Sequence, residues 1–365
     1  MSDLTFTAPG RVEIGGNHTD HQHGRVLAAA INLEAKCTAK ANGTNLVNIS
    51  DERYGAETID LNDLSIREEE KGTSAALVRG VAAWFVNKGY AIGGFDGLVT
   101  SDIPSGSGLS SSAAFEVLIG RIFAGLFGSP ATSLDIALAG QYAENVYFGK
   151  PCGLMDQAAS SFGGLVMIDF ADPQNPVVDE IPYNLPDFLL CVVDTKGSHA
   201  DLTNEYAAVP MEMKQVASYF GKEFLRDLNT ADFYGNIAKL RQIGDRAVLR
   251  AIHFFDENER VIKQAEALKK GLTEDFMKLI IESGHSSLSH LQNIYPAGNI
   301  TTQEINLALS LSEKILKGKG AWRVHGGGFA GTILAFVPTS LRDEYQNRMD
   351  QVFGDGCCHF LSINS

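Results

Sequence analysis

Residues 104–114 read Pro-Ser-Gly-Ser-Gly-Leu-Ser-Ser-Ser-Ala-Ala. The preceding run 95–101 has the composition of a β-strand, and apolar residues recur with helical spacing from 109 to about 126. The stretch therefore predicts a strand, a flexible turn and an amphipathic helix whose backbone N–H groups and dipole can bind an anion. It is not a Walker A loop, because no Lys follows the glycines. The same residues are equally typical of a Ser-capped helix after a flexible turn.

Strand and helix patterns alternate irregularly on both sides of this turn. Strands are predicted at 4–7, 12–14, 26–32, 34–41, 46–50, 95–101, 164–170, 188–194, 322–325, 332–337 and 358–363. Helices are predicted at 73–87, 109–126, 133–148 with Ser133 as cap, across most of 202–318, and at 339–352. This order predicts an α+β fold rather than a doubly wound parallel sheet. Beyond about residue 195 the sequence becomes mostly helical in pattern and richer in Lys and Glu, which predicts two domains, 1–195 and 196–365.

The composition is that of a folded globular protein, with 44% hydrophobic and 20% charged residues. The net charge of -14 repels phosphate backbones and anionic lipids, so we expect neither nucleic-acid nor membrane binding. No apolar run approaches the roughly 18 residues of a membrane helix, and the first residues lack a secretory pattern. Five scattered cysteines do not form a disulfide framework, which favours a reducing, cytoplasmic location.

A polar segment lies near the N-terminus, where residues 11–24 read Arg-Val-Glu-Ile-Gly-Gly-Asn-His-Thr-Asp-His-Gln-His-Gly. Its side chains offer the mixed donors and acceptors that suit a polyol. Those that carry this capacity are Arg11, Asn17, His18 and Asp20. His18, His21 and His23 suggest zinc only weakly, because their spacing is not that of a closed tetrahedral site. A polar loop that satisfies its own turns is the remaining alternative.

Two further segments carry chemical groups. Residues 152–157, Cys-Gly-Leu-Met-Asp-Gln, place Asp156 in apolar surroundings, where a carboxylate needs a partner such as Arg11. Such a pair would keep Asp156 ionised and able to take a proton from an attacking hydroxyl, although a helix N-cap is an equally good interpretation. Residues 324–331, Val-His-Gly-Gly-Gly-Phe-Ala-Gly, permit close backbone approach between two strands.

Together and in this order, four motifs closely resemble the galactokinase branch of the GHMP kinases (galacto-, homoserine, mevalonate and phosphomevalonate kinases). They are Pro9-Gly-Arg11 with His18-Thr-Asp20, then Gly108-Leu-Ser-Ser-Ser-Ala-Ala114, Cys152-Gly-Leu-Met-Asp-Gln157 and Gly326-Gly-Gly-Phe-Ala-Gly331. The resemblance covers nearly the whole chain. It implies an N-terminal domain like domain 2 of ribosomal protein S5, a ferredoxin-like C-terminal domain, and an active site between them. It also implies ATP, Mg²⁺ and phosphorylation of the anomeric hydroxyl of galactose.

The resemblance also assigns roles to residues. Asp156 would be the base or the electrostatic anchor at the anomeric hydroxyl, with Arg11 acting on the same centre and on the transferred phosphoryl group. Ser112 and Glu144 would hold the metal. The residues that would surround the ATP phosphates are Pro104, Ser105, Gly106, Ser107, Gly108, Leu109, Ser110, Ser111 and Ser112. Those that would contact the sugar are Asn17, His18, Asp20, Gly153 and Tyr206.

Asn17 departs from the family pattern, because galactokinases typically carry Glu at this position. Loss of that charge would favour a uronic acid, and His21-Gln22 resembles the same part of galacturonic-acid kinases. Galacturonic acid is therefore an alternative substrate to galactose. A sugar sensor that binds without turnover is a second alternative. The presence of Arg11, Asp156 and Glu144 favours catalysis over that alternative.

Overall fold

The computed structural model describes residues 3–51, 55–104, 108–198 and 202–364. The chain forms two compact units that are interleaved along the sequence. The first unit consists of Met1–Arg11, Ala29–Gly164 and Asn364–Ser365, and the second consists of Val12–Ala28 and Leu165–Ile363. The division into sequence domains near residue 195 stays a prediction.

Strands of the first unit form a sheet with one buried face. They belong to Leu4–Gly15 (β1), Arg25–Ala41 (β2), Leu46–Asp51 (β3), Gly55–Asp60 (β4) and Phe95–Ser101 (β5). The order is β4-β3-β5-β2, where β3 runs parallel to β5 and the β3–β4 and β5–β2 pairs are antiparallel. In β2, buried Ala35, Cys37 and Ala39 alternate with exposed Lys36 and Lys40, the two-residue period of a strand with one face on the core.

Helices of this unit pack against one another, and the first two contact the buried face of the sheet. They are Ser74–Asn87 (α1), Ser111–Phe127 (α2), Ser133–Tyr142 (α3), which continues as a π-helical turn over Ala143–Phe148, and Met155–Phe162 (α4). A capping box starts α3, because Thr132 and Asp135 exchange side-chain hydrogen bonds with each other's backbone N–H. The prediction that Ser133 is the cap was therefore wrong by one residue. Buried Phe123 contacts Phe85 and Phe95 at ring-centroid distances of 5.9 and 5.7 Å.

Strands of the second unit form an antiparallel sheet and, outside that sheet, an antiparallel pair. The pair is Leu165–Asp169 (β6) with Val177–Ile181 (β7). The sheet has the order β11-β8-β10-β9. Its strands are Phe188–Asp194 (β8), Ala321–His325 (β9), Thr332–Pro338 (β10) and Cys358–Leu361 (β11). Buried Val193, Ile333 and Val324 lie opposite one another across three neighbouring strands.

Helices account for much of the rest of the second unit. They are Thr203–Tyr219 (α5), Thr230–Gly235 (α6), Ile237–Leu240 (α7), Asp245–Lys269 (α8), Thr273–Ser286 (α9), Glu304–Leu316 (α10) and Arg342–Phe353 (α11). One apolar cluster lies around the sheet with α10 and α11, and a second joins α5 to α8 through Val209, Met213 and Phe254. Within the described ranges, no helix has the length and apolar character needed to span a membrane.

Candidate active site

A bidentate ion pair joins Arg11 to Asp156 in the first unit. Arg11 donates from Nε to Oδ1 of Asp156 at 2.7 Å and from Nη2 to Oδ2 at 2.9 Å. Asp156 is the second residue of α4, and its carboxylate therefore lies near the positive end of the helix dipole. The N-cap position belongs to Leu154, so the alternative interpretation of Asp156 as a cap was wrong. The predicted pairing with Arg11 is confirmed.

The same two residues are tied to the start of α2. Ser110 Oγ donates to Oδ2 of Asp156 at 2.5 Å, and Arg11 Nη1 donates to the Gly108 carbonyl at 2.7 Å. Arg11 N–H also donates to the Leu109 carbonyl at 3.1 Å. Ser110 has a φ of 57°, a left-handed conformation that a residue with a Cβ adopts at a cost. The predicted phosphate residues Ser105, Gly106 and Ser107 lie outside the described residues, whereas Pro104 and residues 108–112 lie within them.

The carboxyl of Asp156 is ionised at neutral pH. Burial alone would raise its pKa, but the charge of Arg11 and the hydrogen bonds from Arg11 and Ser110 outweigh burial and leave the pKa below its ordinary value. The Lys150 ammonium acts in the same direction. The Asp156 side chain is 32% exposed, against 8% for Arg11. An accessible carboxylate held on a buried guanidinium can accept a hydrogen bond from a hydroxyl group.

Gln157, the residue after Asp156, lies between two buried glutamates. Gln157 Nε2 donates to Oε2 of Glu116 and to Oε2 of Glu144, both at 2.9 Å, and Lys150 Nζ donates to Oε1 of Glu144 at 3.1 Å. Burial first, and then the charge of Glu144, raise the pKa of Glu116 well above its ordinary value. Within the described part of the chain, Glu116 Oε1 and Gln157 Oε1 are buried without a hydrogen-bond partner.

The sequence did not lead us to predict that Glu116 and Gln157 lie together with Glu144. A signal existed, because Glu116 is an isolated carboxylate in the apolar run 113–119 of α2. Gly153, a predicted sugar contact, lies half-buried in the turn before α4. The turn is fixed next to it, because Asn145 Oδ1 accepts from the Cys152 N–H at 2.6 Å.

A cavity of about 450 Å³ opens beside α2 in the first unit. Ser111 and Ser112, the first residues of that helix, line it together with polar side chains of β3, β4 and the N-terminus of α1. Its apolar walls are formed by Ala35, Ile49, Leu77, Val99, Phe115 and Phe148. Three strands, two helices and the π-helical turn contribute these walls, so only the serines were recognisable from local sequence.

In the second unit, three of the predicted sugar residues converge on one glycine loop. Nδ2 of Asn17 donates to the Gly326 carbonyl at 2.7 Å, and the Tyr206 hydroxyl donates to the Gly328 carbonyl at 2.9 Å. Between them, Nε2 of His18 lies 3.0 Å from the Gly327 carbonyl. The loop 326–328 and the N-terminal polar segment are therefore one structural feature, which the sequence analysis treated as two.

Asn17 is fully buried and uses its amide within the protein. Its other N–H donates to Oε1 of Glu13 at 3.0 Å. Its carbonyl oxygen accepts from Nδ2 of Asn293 at 2.9 Å and from Oγ of Ser287 at 3.3 Å. With two donors and two acceptor positions occupied, the amide has a structural role in this conformation. These contacts do not support the argument that Asn17 reads charge on the sugar.

The histidines of this segment are uncharged. Burial lowers the pKa of His18 to about 4 and that of His21 well below its ordinary value. Nδ1 of His18 lies 3.3 Å from Nε2 of His21, so one neutral ring donates to the other. His23 instead stacks on Phe224 at a centroid distance of 3.6 Å. Asp20 Oδ1 accepts from the His21 N–H at 2.9 Å at the start of a short 3₁₀ turn.

Comparison with known proteins identifies the family of the chain. Residues 76–164 match the GHMP kinases N terminal domain, and residues 2–40 match the galactokinase galactose-binding signature. The galactokinase of Glaesserella parasuis serovar 5 (strain SH0165) is 34% identical over 348 residues, covering 92% of this chain and 86% of the relative. The galactokinase of Haemophilus influenzae (strain ATCC 51907 / DSM 11121 / KW20 / Rd) is 32% identical over 347 residues, covering 93% and 86%.

Solved structures share the fold. The Lactococcus lactis galactokinase complexed with galactose superposes with a TM-score of 0.86 at 24% identity, covering 100% of this chain and 94% of that one. The Methanococcus jannaschii mevalonate kinase gives a TM-score of 0.70 at 16% identity, covering 100% and 99%. The predicted α+β GHMP kinase fold is thereby confirmed. The chain therefore belongs to the galactokinase family and is a sugar kinase of the GHMP superfamily that uses ATP.

Proposed function

We propose that this protein transfers the γ-phosphoryl group of ATP to the anomeric hydroxyl of galactose, forming galactose 1-phosphate and ADP. The observation that carries the proposal is the Arg11–Asp156 ion pair. Hydrogen bonds join this pair to Gly108 and Ser110, which lie just before α2. The chain that holds this pair matches the galactose-binding signature and is 34% identical to a galactokinase.

The cavity beside α2 supports binding of ATP. Its volume of about 450 Å³ falls within the range of small-molecule sites, roughly 300–1,000 Å³. The apolar walls, among them Leu77 and Phe115, suit a purine ring. Ser111 and Ser112 lie at the N-terminus of α2, where free N–H groups and the helix dipole favour phosphate oxygens.

For Mg²⁺, we propose Ser112 and Glu144 as ligands. A hydroxyl and a carboxylate are hard oxygen donors, which Mg²⁺ prefers, and a bound cation would offset the repulsion from Glu144 that helps to raise the pKa of Glu116. The Lys150 side chain is 65% exposed, so its ammonium can move away from Glu144. When bound, Mg²⁺ would neutralise and orient the phosphate oxygens.

Asp156 and Arg11 would act on the reacting hydroxyl. The carboxylate can accept a hydrogen bond from the anomeric hydroxyl and hold its oxygen in line with the phosphoryl group. Because its pKa is lowered, Asp156 is a weak base, and we expect proton transfer to accompany or follow phosphoryl transfer. The Arg11 charge would stabilise negative charge that develops on the transferred group.

For the sugar, we propose contacts from His18, Asp20, Gly153 and Tyr206. The contacts of Asn17 favour a structural role instead, and this weakens the argument for galacturonic acid. We also propose a cytoplasmic location, supported by five cysteines that are all free thiols.

A substrate panel tests the proposal. ADP release would be measured with ATP, Mg²⁺ and each of galactose, galacturonic acid, glucose and N-acetylgalactosamine. We expect galactose to give the highest kcat/KM. A higher value for galacturonic acid would replace the proposed substrate, and sugar binding without ADP release would favour a sensor.

A further inference from the structure

Three thiols and one carboxylate gather in the second unit, at the junction of α11 with β8 and β11. The Cys357 thiol donates to Oδ1 of Asp350 at 3.3 Å. The ligand atoms of Asp350, Cys357 and Cys358 all lie within 4.8 Å of one another. Cys191 lies on β8, the strand that pairs with β11, which carries Cys358. None of these residues has a role in the proposed phosphoryl transfer.

The fold brings these groups together from two separate parts of the chain. Strand β11 pairs antiparallel with β8, so that Cys358 lies opposite Val193 and Phe360 lies opposite Cys191. Cys358 and Cys191 therefore point to the same face of the sheet. After α11, Gly354 and Gly356 have φ values of 92° and 76°. This turn allows Cys357 to approach Asp350 in the last turn of the helix.

The distances among Asp350, Cys357 and Cys358 are compatible with three corners of a tetrahedral metal site. With Zn–S at about 2.3 Å and Zn–O at about 2.1 Å, tetrahedral angles place sulfur roughly 3.6 Å from oxygen and about 3.8 Å from another sulfur. The observed 3.3 Å between Cys357 Sγ and Asp350 Oδ1 needs a change of only a few tenths of an ångström. Cys357 is buried, whereas Asp350 and Cys358 are half-buried and leave the cluster accessible to an ion.

Packing alone accounts for only part of the arrangement. A buried thiol behaves as a small apolar group, which explains Cys191 and Cys357 in the core of the sheet. It does not explain a carboxylate directed at a thiol. Thiols that bind a thiophilic cation give up their protons, as they do in other thiolate sites.

We propose that Asp350, Cys357 and Cys358 form a binding site for a thiophilic divalent cation, for which Zn²⁺ with solvent as fourth ligand is the best match. Coordination forms one Zn–O bond and two Zn–S bonds to the protein, and the two thiol protons pass to solvent. By joining α11 to β11, the ion would stabilise this part of the second unit.

The test uses the full chain, reduced and freed of metal, without sugar or nucleotide, so that it is independent of kinase activity. Zn²⁺ would be titrated by calorimetry, and Co²⁺ by absorption, because thiolate-bound cobalt gives a near-ultraviolet charge-transfer band. We expect one ion per chain and a clear thiolate band. Cys357→Ser and Asp350→Asn should each weaken Zn²⁺ binding at least tenfold, in line with loss of one ligand.

Cys37→Ala is the matched control, because Cys37 is a buried thiol in β2 of the first unit. It should leave the affinity for Zn²⁺ unchanged. If Cys357→Ser does not fold, Asp350→Asn still tests the site, since Asp350 is half-buried. Absence of stoichiometric binding, cobalt binding without a thiolate band, or unchanged affinity in Asp350→Asn would each overturn the proposal.

Discussion

Arg11 donates hydrogen bonds to both carboxylate oxygens of Asp156, with Nε 2.7 Å from Oδ1 and Nη2 2.9 Å from Oδ2. The two residues are 145 positions apart, and both belong to the first unit. Because the pair also contacts Gly108 and Ser110, the positions of the guanidinium, the carboxylate and the residues before α2 depend on one another. This coupling underlies the proposed chemistry.

Asp156→Asn should abolish most activity without unfolding the protein. The amide keeps the size of the side chain but loses the charge that orients the hydroxyl, so we expect kcat to fall by about 10³-fold. The KM for ATP should change little, because Asp156 does not line the cavity beside α2. Steady-state kinetics checks both values. Asp172→Asn, at an exposed loop carboxylate, is the control, and a kcat within tenfold of the wild type would contradict the assigned role.

Asn17→Asp separates a structural role from a role in specificity. The substitution removes both N–H donors and places a second carboxylate next to Glu13, which already pairs with buried Arg323 at 2.6 Å. We expect the free energy of unfolding to fall by on the order of 3 kcal/mol. The ratio of galactose to galacturonic acid activity should stay constant.

Urea unfolding and the two substrate rates check this prediction. A stability loss below about 1 kcal/mol, together with a selective loss of galacturonic acid activity, would restore the earlier argument that position 17 reads charge on the sugar.

Gly328→Ala tests the role of loop 326–328, whose carbonyl groups are contacted by Asn17, His18 and Tyr206. The glycine has a φ of 77°, and an added Cβ would lie 2.1 Å from the Asn293 carbonyl oxygen. Gly318 has a similar φ of 73° but open space at the Cβ position, so Gly318→Ala controls for backbone strain alone. We expect about 1 kcal/mol of destabilisation at Gly318 and a larger loss at Gly328.

Thermal unfolding and the KM for galactose measure the difference between the two alanine variants. Gly328→Ala should raise the KM, whereas Gly318→Ala should not. Equal effects of the two substitutions would show that close packing of the loop is unimportant.

Acid should destabilise the second unit through His253. Burial lowers its pKa from 6.5 to about 4. Its ring lies 2.9 Å from the backbone carbonyl oxygen of Asn17 and 2.8 Å from Oγ of Ser286. The unfolded state therefore binds the proton first, so stability is present above pH 6.5 and is lost as the pH falls from 6.5 towards 4. Urea unfolding across this range should show less pH dependence in His253→Gln. An unchanged slope would contradict the assignment.

Much of the fold was predictable because local patterns determine it. The prediction of β5 at 95–101 agrees with the structure, and Thr73 caps α1 at the start of the predicted helix. Strands β4 and β7 were missed. Their sequences, Gly55–Asp60 and Val177–Ile181, contain acidic residues and several exposed positions, so their identity depends on pairing with β3 and β6.

The candidate site was predictable where partners have complementary chemistry. A carboxylate in apolar sequence needed a cation, and Arg11 was the expected partner of Asp156. Asn17 could not be interpreted in this way, because its role depends on Asn293 and Ser287, which are about 270 residues away in the chain. Local sequence carries no information about such contacts. Only the folded structure shows that the donors and acceptor positions of the Asn17 amide are all occupied.

The most direct test of the central claim is the position of phosphorylation. The protein would be incubated with ATP, Mg²⁺ and galactose, and the product examined by ³¹P NMR. We predict one new phosphomonoester signal coupled to the anomeric proton, which identifies galactose 1-phosphate, and about 10³-fold slower growth of that signal with Asp156→Asn. A product phosphorylated at another hydroxyl, or a signal that grows in Asp156→Asn within tenfold of the wild-type rate, would contradict the account.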